Sequence, residues 1–172
     1  MAWSCIRSRC ILVGCVLIGG HQAICAQNSA ECDSLEAHYR TTLKTEGDAA
    51  ALPICQALQD CILKTESDTS LRYAIALRWE GNRLLEMGRN AEAEQIFFAS
   101  IKALSACDSR GCFEASLDAH NNICILRSIT GNGPASTDLL SGFSSFIEHR
   151  YGRDSYELAM TRKLLGHHWA WM

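Results

Sequence analysis

Ten cysteines in 172 residues are the side chains most able to do chemistry, and their spacing decides what chemistry that is. Cys5, Cys10, Cys15 and Cys25 crowd the N-terminus, and Cys32, Cys55, Cys61, Cys107, Cys112 and Cys124 follow. An even set of six in an exported chain suggests disulfides, with the connectivity left open. Cys107 and Cys112 bracket "DSRG" in an expected loop, where a local bridge fits. Cys55, Cys61 and Cys124 stand among apolar neighbours on predicted helices, the setting of small buried hydrophobes. No C-x-x-C occurs, so neither a zinc ribbon nor a thioredoxin-type motif is supported.

The other reactive residue types do not converge. His38 and His120 are isolated, and His149, His167 and His168 lie near the C-terminus. Adjacent residues on a helix point ~100° apart, so His167 and His168 cannot share a metal as an i, i+4 pair does. Glu92 and Glu94 are two apart and do not face each other, which leaves paired-carboxylate catalysis without support. "GNGP" (residues 131–134) lacks the lysine of a phosphate loop and reads as a turn. G-x-S-x-G is absent. The expectation is a non-enzymatic chain with no catalytic, cofactor or metal site.

Charge and composition narrow the classes further. A formal net charge of -3 gives no nucleic-acid footprint, and 48% apolar residues are enough for a core. The first 26 residues read separately. Arg7 and Arg9 precede the apolar run "CILVGCVLIGG", and small residues follow at Ala23, Cys25 and Ala26. That order is the pattern of a secretory signal peptide, and the run is shorter than the ~20 apolar residues a spanning helix needs. The expectation is export to a periplasmic or extracellular space, with no membrane span. Losing Arg7 and Arg9 with the leader would take the net charge from -3 to -5. "LVGC" (residues 12–15) resembles a lipobox, so an anchored lipoprotein lipidated at Cys15, serving as a subunit of an envelope assembly, is the alternative.

After residue 30 the apolar spacing is helical throughout. Asp33 or Ser34 is expected to cap a helix that stops at Gly47. Pro53 predicts a helix starting near Leu52, because proline suits a first turn. Caps are expected in Ser67–Ser70 and at Asn90, and a helix is expected to begin after the "CDSRGC" break. Pro134 should open the next, and "YGRDS" should turn into the last. Trp169 and Trp171 are expected to cover Leu158 and Leu165 at the end of the array. The fold class predicted is all-α, a short right-handed α-solenoid of antiparallel helix pairs.

One stretch gives that prediction its shape. From Ala74, Leu77, Gly81, Leu84 and Gly88 are followed by Ala93, Phe97 and Ser100. Cys124, Gly131, Ser136, Leu140 and Phe143 repeat part of that order, with Phe143 where a small residue is expected. The pattern resembles a tetratricopeptide repeat. The 43-residue step from Gly88 to Gly131, with Gly152-Arg153-Asp154 in the next turn, is similar to the longer repeats of the kinesin light chain type. Ser155-Tyr156 stands where that family has His-Pro. The resemblance implies a domain over residues 27–172, with a best repeat at 74–107, a second at 117–150 and a partial third helix at 155–169, where Gly166 takes the small slot. It also implies a protein or peptide partner held on a concave face lined by the first helix of each pair. The groove positions it implies are Arg78 and Asn82, then Asn121 with Ile125, then Lys163 with His167.

Overall fold

Four glycines and two serines make the turns. Gly47, Gly88, Gly131 and Gly152 have φ of 87°, 74°, 78° and 90°, a left-handed backbone that penalises any Cβ. Ser70 and Ser109 instead cap the helices that follow them, their hydroxyls accepting from the backbone N–H of Tyr73 at 3.1 Å and of Cys112 at 3.2 Å. The computed structural model describes residues 29–170. It contains α1 (residues 29–45), α2 (Asp48–Thr65), α3 (Leu71–Glu86), α4 (Asn90–Leu104), α5 (Arg110–Ile129), α6 (Gly133–Tyr151) and α7 (Tyr156–Ala170). The described chain is all-α, with no strand among these residues. No helix among them is long and apolar enough to cross a membrane. The expected signal peptide over residues 1–26 and the alternative anchor at Cys15 lie outside the described residues.

Several helix starts differ from expectation. The first helix is already formed at residue 29, ahead of Asp33 and Ser34. α2 begins at Asp48 and runs straight through Pro53. Proline there forfeits one backbone bond near the N-terminus, but Ala51, Leu52, Cys55, Leu58 and Ile62 form one buried face that holds the helix in place. Arg89 precedes α4, so Asn90 is its first helical residue rather than its cap. α5 starts at Arg110, inside the expected loop, because Ser109 caps it there.

Each helix from α2 onward packs on the next, and α3, α5 and α7 also touch in sequence. The core follows that order. Cys32 of α1 joins Leu58, Cys61 and Ile62 of α2. Leu84, Phe97, Ile123 and Leu126 join α3, α4 and α5. Phe113, Phe143, Ile147 and Leu158 join α5, α6 and α7. Leu158 is thus packed among aromatic rings from its neighbours, while Trp169 is left 58% exposed and is not part of that cluster. Trp171 lies outside the described residues.

The turn between α4 and α5 and the end of α6 are tied together. Cys107 and Cys112 are bonded, with Sγ atoms 2.04 Å apart. Arg150 of α6 pairs with Asp108 and donates to the carbonyls of Ser105 and Cys107 at 3.1 and 3.4 Å. A second bridge joins Cys32 to Cys61 across 29 residues. Cys61 is therefore a cross-link between α1 and α2, not the isolated apolar cysteine its neighbours suggested. Its predicted helix was right, but the facing residue on α1 could not be read from spacing.

Candidate functional site

The face shared by α3, α5 and α7 holds the polar residues expected in a groove, and it uses them unequally. Arg78 Nη1 donates to Asp118 Oδ2 at 2.6 Å. One turn on, Asn82 Oδ1 accepts from Asn122 Nδ2 at 2.7 Å. The two bonds are rungs between α3 and α5, so Arg78 and Asn82 hold the helices in register. Asn121 behaves differently. It lines a cleft of about 430 Å³ between α5 and α7, together with Ile125, Ile129, Leu164 and His167. Ile125 and Ile129 are 46% and 64% exposed, a paired apolar surface beside an amide and an imidazole. His168, the neighbour of His167, turns inward, with Nε2 3.4 Å from Gly133 O. Lys163 sits exposed on α7 and is not among the residues that line this cleft.

Polar chemistry is also buried between α2 and α3, which helical spacing alone did not reveal. Glu80 falls between Leu77 and Gly81, both buried. Its carboxylate accepts from Gln56 Nε2 at 2.7 Å and Gln59 Nε2 at 2.8 Å. Arg83 pairs with Asp48 nearby. A buried carboxylate that is hydrogen-bonded on both oxygens fixes the register of two helices. Cys55 lies against this group, its thiol bonded to Ala76 O at 3.1 Å. Burial pushes the Cys55 thiol up to about 12 and the Cys124 thiol up to about 11. Neither is a thiolate nucleophile at neutral pH.

No protein-family model matches the chain, and no curated protein matches it. What the chain does must come from its own geometry.

A second apolar feature lies on another side of α5. The Cα atoms of α4 and α6 stay more than 8 Å apart, and the space between them is a cavity of about 450 Å³ floored by α5. Its walls include Ile101, Leu104, Phe113, Phe143 and Ile147. His120 is set among them, stacked on Phe143 with ring centroids 3.8 Å apart. Sequence spacing treats His120 as isolated because the cavity joins three helices. The available signal was Phe143, a large ring where the repeat pattern expects a small side chain.

Proposed function

We propose that the chain is an exported repeat protein, built from tetratricopeptide-like helix pairs in a short solenoid, that binds a protein or peptide partner. The observation that carries this reading is the contact of α3 with α5 and of α5 with α7. First helices of successive pairs that touch in order are what stacking of repeats requires. Burial at matching slots supports the same register. Ala93, Phe97 and Ser100 are fully buried, and so are Ser136 and Leu140 at the corresponding places. Two disulfides and the basic-then-apolar start of the chain support export to an oxidising compartment.

The α5–α7 cleft is where the partner binds. Asn121 offers both a donor and an acceptor to a peptide backbone, and Ile125 and Ile129 offer apolar area. The test is site-specific photo-crosslinking in the native host. A photoreactive residue is placed at Asn121, Ile125 or His167, and at exposed Lys102 of α4 as control. Discrete adducts of one mass from the three cleft positions, and none from Lys102, support the reading. Adducts from Lys102 alone, or equally from all four, overturn it. The mass of the purified protein, before and after reduction, tests export: a chain starting near Ala26 or Gln27 is expected, and an intact residue 1 with free thiols sinks it.

A further inference from the structure

The cavity between α4, α5 and α6 belongs to neither the cleft nor the helix register, and it contains an unmatched acceptor. His120 is 5% exposed. Its Nδ1 is 2.8 Å from Ser116 O, and a carbonyl only accepts, so Nδ1 carries the proton. Burial pushes the imidazole down to about 4, so the ring is neutral at pH 7. Nε2 is then the ring's acceptor lone pair, and no hydrogen bond to it is made among the described residues. Such an acceptor in apolar surroundings gains from any donor brought to it.

The rest of the cavity says what should bring that donor. Arg150, the cation at the rim, is spent on Asp108 and two backbone carbonyls, with Phe146 and Tyr151 against its guanidinium. It does not stand ready for an anionic ligand. Asp138, also lining the cavity, is a second acceptor. The rings of His120 and Phe143, stacked within 14° of parallel, both line the cavity, and aromatic lining suits a ring better than a flexible alkyl chain. The rim is braced by the Cys107–Cys112 bridge and the Arg150 contacts, so the space is formed before anything enters it.

We propose that this cavity binds a small aromatic ligand of about two or three rings whose hydroxyl or ring N–H is donated to His120 Nε2. The probe pair is 2-naphthol and 2-methoxynaphthalene, which share a ring system and differ in the donor. Each is titrated into the disulfide-bonded protein by fluorescence and calorimetry. Saturable binding of 2-naphthol is expected, roughly five- to tenfold tighter than the methyl ether, the worth of one hydrogen bond. His120→Phe keeps a ring against Phe143 and should make the two probes bind alike. Gly142 lines the cavity, and a Cβ there meets nothing within 4 Å, so Gly142→Phe should fill the space, leave the helical spectrum unchanged and abolish binding of both. Equal affinities in the unaltered protein, absence of saturable binding, or a 2-naphthol affinity that survives Gly142→Phe would each overturn the proposal.

Discussion

The α3–α4 and α5–α6 hairpins solve one packing problem in two ways. In the first, Gly81 lets the Phe97 ring press onto the helix so closely that a Cβ at residue 81 would lie 2.5 Å from Phe97 Cε1. Ser100 is buried and donates to Ala74 O at 2.8 Å, so the close approach leaves no polar atom of that serine unpaired. In the second, Cys124, Leu140 and Phe143 take the places of Gly81, Phe97 and Ser100, and His120 takes the place of Leu77. Two rings occupy the slots that hold a leucine and a serine in the first hairpin, and the cavity opens beside them. Ser136 Oγ is buried there without a partner. The first hairpin spends its sequence on packing. The second gives up some packing for a shaped, partly polar space, the pattern expected where a site is built into a fold.

The sharpest way to break that comparison is to remove the ring that defines the tight hairpin. Phe97→Ala should cost about 4 kcal/mol, since Phe97 is fully buried in the cluster joining α3, α4 and α5. Leu140→Ala, its counterpart, removes fewer atoms and should cost about 3 kcal/mol. Urea denaturation of both variants measures the difference. A larger loss at Leu140 would mean that the second hairpin, not the first, anchors the fold.

A second test uses protons. The folded-state pKa of His120 is pushed from 6.5 down to about 4 by burial. The unfolded chain therefore binds a proton first as pH falls. Stability from this group is complete above about pH 6.5 and drains away down to about pH 4, where the loss levels off at roughly 3 kcal/mol. Asp138 and Arg150 line the same cavity, and Asp118 lies on the same helix, so the slope is read as a difference between proteins. His120→Leu installs the residue of the first hairpin and should flatten the curve of melting temperature between pH 7 and pH 4.5. An unchanged slope would show that the ring is not held neutral in the folded protein.

How much of this was legible beforehand depends on whether a feature is local. The turns were legible because Gly88, Gly131 and Gly152 follow apolar helical runs, and left-handed turns select glycine. Pro53 misled, because a buried apolar face outweighs one missing backbone bond. Capping at Ser109 moved the start of α5, a choice set by a single hydroxyl. The rungs Arg78–Asp118 and Asn82–Asn122 span 40 residues each, and a sequence pattern shows the face but not the partner across it. Glu80 was illegible for the same reason, since its two glutamines come from another helix. The cavity needed three helices in place, and only Phe143, out of size for its slot, hinted at it.

The smallest effect separates the hairpins most cleanly, because one substitution changes sign with position. Gly81→Ala adds a methyl group into the Phe97 ring, and that crowding should cost about 1 to 3 kcal/mol. Gly166 is the glycine of α7 that the repeat pattern matches to Gly81, and a Cβ there meets nothing within 4 Å. Gly166→Ala should instead stabilise the helix by about 0.5 to 1 kcal/mol, through lower unfolded-state entropy alone. Melting temperatures of the two variants decide it. The double variant Gly81→Ala/Phe97→Leu should recover part of the Gly81→Ala loss, because a leucine can yield the space that the ring holds. If Gly81→Ala is neutral, the ring moves freely and the first hairpin is no tighter than the second. If Gly166→Ala destabilises, something else packs on that face of α7.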